Sequence, residues 1–532
     1  MRILAFNITH DSSVCSLNNG EIEFFCKEER LSRVKRDKHP FLSVELFESL
    51  KLGKIDHILY HTPSNFEPDV EFVWKAYIQK KFNTSLENYS NLLHHLCHSA
   101  LAYYNSEFKE CLVIVVDRHG SVYFMDDKPV ARESESIFIC NEKNIKPIYK
   151  SFSMEKNYHS YAEKFSYIIK NYFKYCETKV GGNINLVKIY EAATTLIGQH
   201  LLENGKTMGL SSYGENKKYD VLKENDFTYY GKQVLFKNEE HLVNKNLNED
   251  NYQYYANKAK QVQLQTQKSV LDLIKKYNKK TGINNICLVG GYGLNVVANQ
   301  YYLKELPNCN FYFEPVADDT GISIGATMLK YNQITKQKPK PVLNNFYHYY
   351  KEEKCNVGNI SSLEEVCSLL EQQKSVAIFE GNPEVGPRAL GHRSILFDAR
   401  NKDGKNIMNK IKKREWYRPF AGTILENYLN EHFETILKKS PYMTINFNCK
   451  NNLFPAITHV DNTCRIQTVN SGTLFDILNL FNKRNNCPIL LNTSFNLAGE
   501  PLVQTIKDAL STFNKSSLDA VFFVKEKRLI VK

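Results

Sequence analysis

Short apolar runs of strand length alternate along the chain with segments of helical period. RILAFNI, ILYHT, LVIVVD and NICLVGG concentrate β-branched and aliphatic residues as buried strands do. YHSYAEKFSYIIKNYFKY and QVQLQTQKSVLDLIKKYNKK instead repeat apolar residues at three and four positions, the spacing of one helix face. This alternation predicts an α/β protein in which helices cover sheets. Between about residues 330 and 357, YNQITKQKPKPVLNNFYHYYKEEKCN has two prolines, many polar residues and little periodicity, which predicts an interdomain linker. Beyond it SLEEVCSLLEQQ predicts a helix, and SVAIFEG, AITHV, RIQTV and PILLNTSF predict strands, so the second domain is α/β as well. The expected domains are 1–340 and 341–532.

Composition narrows the class. With 532 residues, 42% hydrophobic and 24% charged, the chain has the balance of a globular protein and not of a disordered one. No run approaches the roughly 18 apolar residues of a membrane helix, and MRILAFNITHDSS lacks the apolar core of a signal peptide. No membrane partner is expected. The 13 cysteines contain no CxxC pair, which speaks against a zinc knuckle or a disulfide framework and for a reducing, cytoplasmic setting. The formal charge of +11 suits anionic substrates, a nucleic-acid surface or simply a lysine-rich composition.

In the first half, HHLCHSALAYYN sets His94 and His98 one turn apart on a helix, where both imidazoles can reach one ion; His95 lies about 100° around. EPVADDTGISIGAT places Asp318 and Asp319 between a strand and a helix, where Asp319 can add a carboxylate to two imidazoles or simply cap the helix. LVGGYGLNVVAN reads as strand, glycine turn and helix start, with backbone amides open to an anion. Neither GxGxxG nor GxxxxGK[ST] occurs there, against a dinucleotide fold or P-loop. GKTMGLSSYG reads as a second glycine-framed turn, a mobile lid with Lys206 facing phosphate. LVIVVDRHGS ends a strand on Asp117. His10 and Asp11 also follow a strand, an imidazole beside a carboxylate that can act as a general base or form a strand-exit turn. CKEERLSRVKRDKHP reads mostly as a solvated charge run.

In the second half, FEGNPEVGPRALGHRSIL concentrates Glu384, Arg388, His392 and Arg393 among glycines, a density that points to a ligand more than to packing. IKKREWYRPFAG adds Lys412, Lys413, Arg414 and Arg418, and THVDNTCRIQTV adds His459, Asp461 and Arg465. Converging cations suit a substrate that carries phosphate groups. PILLNTSFNLAGEPLV ends a strand on Asn492, Ser494 and Asn496, neutral groups able to orient a nucleotide or planar amide.

In this order HHLCHSA, GKTMGLSSYG, LVGGYGLN, GPRALGHRSI, REWYRPFAG, ITHVDNTCRIQTV and LLNTSFNLAGEPLV resemble the O-carbamoyltransferase family that includes the nodulation-factor, cephalosporin and tobramycin carbamoyltransferases. The resemblance spans nearly the whole chain. It implies an actin-like ATPase-type domain, similar to the tRNA threonylcarbamoyl transferase, followed by a YrdC-like domain. The latter would make carbamoyl adenylate from ATP and carbamoyl phosphate, and the former would pass the carbamoyl group to a hydroxyl-bearing acceptor. A divalent metal, iron or zinc, is implied in the first domain, with Mg²⁺ accompanying the ATP. The implied metal ligands are His94, His98 and Asp319, and the implied catalytic residues His10, Asp11 and Arg418. Nucleotide and substrate binding would fall to Asp117, Lys206, Gly209, Gly291, Gly293 and Asn295 in the first domain. In the second it would fall to Arg388, Lys412, Arg414, Arg465, Asn492 and Ser494.

Two departures stand out: Arg118 and Ser121 in DRHGS, where the family has a glycine and an acid, and AGTIL after RPF. The first points to a different acceptor, which loops in the region 120 to 190 would select among sugars, antibiotics, lipochitooligosaccharides and hydroxymethylated nucleotides. The competing readings are an actin-like sugar kinase, which leaves the second domain's cations without a task, and an inactive nucleic-acid-binding relative. No stable nucleic-acid partner is expected, since the other lysines are scattered; a homodimer is the default for such an enzyme.

Overall fold

The computed structural model describes residues 1–62, 68–82, 86–88, 94–230, 233–244, 246–342, 348–349 and 354–532. Part of the expected linker, at 343–347 and 350–353, lies outside them; its start is helical, because the helix Ile322–Thr335 runs on through it. The chain forms two compact units. One comprises Met1–Glu28 with Arg36–Asn345, the other Glu29–Lys35 with Phe346–Lys532.

Among the described residues the first unit holds two large mixed sheets that share one strand order. In the first, the antiparallel strands Arg2–Asn7, Ser13–Asn18 and Glu21–Lys27 form a meander, and His57–His61 then Leu86–Asn88 add in parallel beside Arg2–Asn7. In the second, Glu110–Val116, Lys128–Asn141 and Ile145–Met154 repeat the meander, and Asn285–Val289 then Asn310–Phe313 add in parallel beside Glu110–Val116. This duplication of a 3-2-1-4-5 order is the topology of an actin-like ATPase-type fold. The central strands are buried on both faces, which is why they read as unbroken apolar runs.

Two glycines set the spacing of the parts that matter. A Cβ at Gly325 would lie 2.0 Å from the Cys97 carbonyl oxygen, so this glycine lets the helix Ile322–Thr335 lie directly on the helix His94–Asn105. Gly290 has φ of +88°, and a Cβ there would lie 2.3 Å from the Val116 carbonyl oxygen. Only glycine fits such a turn between two strand ends.

The second unit is built on one mixed sheet, with Val376–Phe379, Arg393–Asp398, Ile489–Ser494, Ala421–Leu425 and Thr463–Val469 as its centre. The helices Leu363–Glu371 and Gly472–Asn485 lie against each other, with Arg484 donating to the Glu364 carbonyl. A capping box of Thr505 and Asp508 starts the helix Ile506–Lys515.

Three expectations need correction. GKTMGLSSYG is no lid: Asn204–Ser211 is a helix, its Thr207 buried and hydrogen bonded to Thr194 at 2.7 Å. AITHV is a turn, because the Ile457 and Thr458 amides both donate to the Phe454 carbonyl. The charge run 27–36 is largely engaged by protein: the Glu28 carboxylate accepts the Leu42 and Ser43 amides, and Arg33 donates to the carbonyls of Leu502 and Pro501.

Candidate functional site

Four side chains from three elements of the first unit converge. The helix His94–Asn105 presents His94 and His98 one turn apart; Asp117 ends the strand Glu110–Val116; Asp319 stands in the short 3₁₀ turn that opens the next helix. Asp318, not Asp319, takes the capping role by accepting the Thr320 amide at 3.2 Å. That leaves the Asp319 carboxylate for the histidines. His94 Nε2 lies 3.3 Å from Asp117 Oδ2 and 3.5 Å from Asp319 Oδ1, and His98 Nε2 lies 3.6 Å from the same Asp319 oxygen. One ligand atom from each residue falls within 4.8 Å of all the others, and all four residues are buried.

Neither ring nitrogen of His98 makes a hydrogen bond, although the residue is fully buried. Two adjacent atoms bound at 2.0–2.2 Å to one tetrahedral or octahedral ion stand about 2.8–3.6 Å apart; the three His–Asp separations of 3.3, 3.5 and 3.6 Å fall in that range, and the set as a whole spans up to 4.8 Å. The residues therefore fit a divalent metal with two imidazoles and two carboxylates, a mixed set that suits iron or zinc. The field agrees. Burial opposes a positive charge on His94, yet Asp319 and Asp117 raise its pKa to about 10. Burial likewise opposes the Asp319 anion, and His94, His98 and His10 hold it well below the usual carboxylate range.

The strand-exit turn after Arg2–Asn7 borders this cluster. Asn7 donates to the Asp319 carbonyl at 2.8 Å, His10 Nδ1 stands 3.9 Å from Asp319 Oδ2, and His10 Nε2 stands 3.1 Å from Asp11 Oδ2. Lys27 pairs with the other Asp11 oxygen at 2.7 Å. Burial disfavours a proton on His10, but Asp11, Asp319 and Asp117 outweigh it and raise the pKa to about 9. His61, which the motif reading passed over, lies 3.1 Å from His94 Nδ1 and fixes that ring.

The loop residues expected to bind nucleotide in the first unit divide. The Gly291 amide donates to Asp117 Oδ1 at 3.1 Å and so joins the cluster. Lys206 is taken up by Gln199 and Glu203, and Gly209 is buried inside a helix. Gly293 is packed against Ala317, and Asn295 caps the helix Val296–Glu305 by accepting the Ala298 amide.

In the second unit the cation motifs also divide. Arg388, Arg414, Arg418 and Arg465 repel one another: burial and then the charges of Arg418 and Arg465 disfavour the Arg414 cation, and burial and then Arg388 and Arg418 disfavour that of Arg465. Glu415, paired with Arg418 at 3.4 Å, relieves only part of this. Arg465 Nε is buried without a hydrogen bond. Such like-charge crowding is costly unless an anion offsets it. Lys412 is a different case. Its ammonium is buried and donates to the Ser494 and Asn496 carbonyls and to Asn496 Oδ1, so it shapes the NTSFN loop from within. Ser494 donates to Asn496 Oδ1 at 2.7 Å in the same loop.

Asn492 is fully buried and donates to Thr423 Oγ1, Gln467 Oε1 and the Ala389 carbonyl. It thereby ties the segment that carries Arg388 to the sheet. Glu384 and Arg393, expected to face a ligand, are instead builders of this loop. The Glu384 carboxylate accepts the Leu390 and His392 amides, and Arg393 donates to the carbonyls of Glu380, Gly381 and Gln504.

The family to which this α/β chain belongs is shown by its similarity to known transferases. The "Carbamoyltransferase N-terminus" family model matches residues 66–328 and the "Carbamoyltransferase C-terminus" model residues 367–531. The chain belongs to the carbamoyltransferase family. It is similar to Nodulation protein NolNO of Sinorhizobium fredii, 26% identical over 96% of this chain and 78% of the relative. With Uncharacterized protein MJ1051 of Methanocaldococcus jannaschii it is 29% identical over 96% of each. With Nodulation protein NolO of Bradyrhizobium diazoefficiens it is 34% identical over 47% of this chain and 50% of the relative. Among solved structures, full-length HypF in its phosphate- and nucleotide-bound form aligns with 63% of this chain and 56% of its own, at 17% identity and a TM-score of 0.39.

Proposed function

We propose that this carbamoyltransferase is ATP-dependent and works in two steps, one in each unit, with 1–340 as the carbamoyl-transfer domain and 341–532 as a YrdC-like, adenylate-forming domain. The observation that carries the reading is the cluster Arg388, Arg414, Arg418 and Arg465, in which the charges of Arg388, Arg418 and Arg465 make the Arg414 and Arg465 cations more costly. A carbamoyl group is a poor electrophile, and linking it to AMP supplies a good leaving group. Water first releases carbamate and phosphate from carbamoyl phosphate; a carbamate oxygen then attacks the α-phosphorus of ATP, and pyrophosphate leaves. The arginines neutralise the oxyanions that build up in both displacements, and Arg418, 32% exposed at the side chain and paired with Glu415, meets the reacting phosphate. Asn492, Ser494 and Lys412 hold the surrounding loops in place.

In the second step an acceptor hydroxyl attacks the carbamoyl carbon, and AMP leaves. His10, beside Asp11, is the proposed base for the hydroxyl proton; because Asp11, Asp319 and Asp117 favour its protonated form, it accepts that proton only from the neutral state, which predominates above about pH 9. His94, His98 and Asp319, with Asp117 as a fourth group, would hold the divalent metal, iron or zinc, which when bound supplies a Lewis acid for the phosphate and carbonyl oxygens. The Gly291 amide donates to Asp117 Oδ1 and holds that carboxylate in the cluster. The acceptor is a sugar, a nucleotide or another small hydroxyl compound. The setting is a reducing cytoplasm, consistent with 13 free cysteines, and among the described residues no helix is long and apolar enough to cross a membrane.

The test incubates the protein with ATP and carbamoyl phosphate. Pyrophosphate release that requires carbamoyl phosphate and disappears in Arg418→Ala supports the reading. Its absence from folded wild-type protein refutes it. Mass spectrometry for the gain of one carbamoyl group across a panel of hydroxyl compounds then identifies the acceptor.

A further inference from the structure

Behind the metal-site cluster, and within the first unit, stands a histidine to which the reaction above gives no task. His61 closes the strand His57–His61 and lies in register with Asn7, the last residue of the parallel strand Arg2–Asn7. The Ile8 amide donates to the His61 carbonyl at 2.9 Å, so the backbone at this point is held from both strands. The residue is buried, 4% exposed. Its Nε2 lies 3.1 Å from Nδ1 of His94, with ring centres 5.0 Å apart and planes tilted by 54°. That is a hydrogen bond between two ring edges and not a stack.

The two nitrogens of His94 have separate tasks. Nε2 faces the carboxylates, 3.3 Å from Asp117 and 3.5 Å from Asp319, and is therefore the nitrogen that a metal ion would take. An imidazole that ligates through Nε2 keeps its proton on Nδ1, and a buried N–H needs an acceptor. His61 Nε2 accepts it, which places the proton of the neutral His61 ring on its own Nδ1. This bond is the same whether His94 Nε2 carries a proton or an ion, so the ring need not turn when one replaces the other. His98 differs, because neither of its ring nitrogens has a hydrogen bond. The strand end beside His61 serves a second ligand: Asn7 donates to the Asp319 carbonyl at 2.8 Å and so holds the main chain there.

We propose that His61 is a positioning residue of the metal site: by accepting the Nδ1 proton of His94 it fixes the tautomer and ring angle that present Nε2 to the ion. His94 is then the preset ligand, and His98 is the one that the ion itself orients. A neutral imidazole also raises the basicity of His94 less than the more usual carboxylate acceptor would, which leaves the ion a stronger Lewis acid. The assignment rests on the metal site of the carbamoyl-transfer reading and adds a residue to it.

The test is competition between the metal-free whole chain and a chromogenic chelator for Zn²⁺. Zn²⁺ that the wild type holds and His98→Ala does not defines the ion of this site. His61→Leu removes the acceptor and should weaken that Zn²⁺ by about 10–100-fold, whereas His61→Gln, whose Oε1 can take the place of Nε2, should stay within about threefold of wild type. A histidine with only a packing role would lower stability in these variants and leave the Zn²⁺ affinity of the folded protein unchanged. Near-UV circular dichroism checks the fold, and His61→Phe, which keeps the ring without the acceptor, stands in if His61→Leu does not fold. Wild-type affinity in the variant without the acceptor, or a loss in folded His61→Gln as large as in that variant, overturns the proposal. Absence of Zn²⁺ from the wild type, or binding that His98→Ala leaves untouched, refutes the metal site and the role of His61 with it. Site-bound Zn²⁺ that is indifferent to His61 refutes the positioning role alone.

Discussion

The two units gather charge in opposite ways. In the first, His94 and His98 meet Asp117 and Asp319, and opposite charges hold one another in their ionised forms. In the second, four arginines gather, Arg418 pairs with Glu415, and the charges of Arg388, Arg418 and Arg465 make the Arg414 and Arg465 cations more costly. A site of the first kind is built to hold a cation and is nearly neutral before it arrives; one of the second kind is completed only by an anion. The difference is what the proposed function needs, metal-assisted chemistry in one unit and phosphate chemistry in the other.

The comparison is broken most severely by removing a metal-site ligand. His98→Ala should abolish carbamoyl transfer, by about a thousandfold or more, and remove bound metal as measured by elemental mass spectrometry. Full transfer activity in the variant would remove His98 from the site. Next in size, Arg465→Ala should lower carbamoyl-phosphate-dependent pyrophosphate release about a hundredfold, the scale of losing one preorganised donor to a developing oxyanion. A steady-state assay reads this directly.

Smaller effects separate the cations that face ligand from those that build loops. Lys412→Met should reduce stability by about 2–4 kcal/mol, because it leaves the buried Ser494 and Asn496 carbonyls without their donor. Urea unfolding would show it, and unaltered stability would return Lys412 to the ligand-facing group. The smallest effect sharpens the contrast among carboxylates. Glu314 is fully buried, and burial pushes its pKa up to about 7 despite hydrogen bonds from the Val316 amide, Asn105 and Tyr312. Among the described residues no ion pair holds it as His94 holds Asp319. The folded protein thus holds this proton where the unfolded chain has released it, so the native state loses stability as pH rises from about 4.5 to about 7. Glu314→Gln should be more stable than wild type at pH 8 by about 1–3 kcal/mol, and the two proteins should converge below pH 5.

Much of this was legible in the amino-acid order. The two histidines are recognisable because helical period alone puts i and i+4 on one face. The buried strands are recognisable because strands covered on both sides carry unbroken apolar runs. Asp319 was ambiguous, since a carboxylate before a helix caps or binds; only the structure gives the cap to Asp318. Asp117 as a member of the metal cluster depended on two strand ends and a helix meeting in space, which no local spacing encodes. Lys412, Glu384 and Arg393 looked like ligand-binding groups because sequence density cannot tell which way a charge points. Most of their partners are main-chain groups, between 6 and 111 positions away along the chain. The segment Glu29–Lys35 looked solvated for the same reason: its partners, Leu502 and Pro501, lie more than four hundred residues away.

The division of labour is tested most directly by carbamoyl-phosphate-dependent exchange of labelled pyrophosphate into ATP, compared in His98→Ala and Arg465→Ala proteins of equal fold content. The account predicts that exchange persists in His98→Ala, which cannot transfer the carbamoyl group, and is lost in Arg465→Ala. Exchange lost in both, or retained in Arg465→Ala, would contradict it.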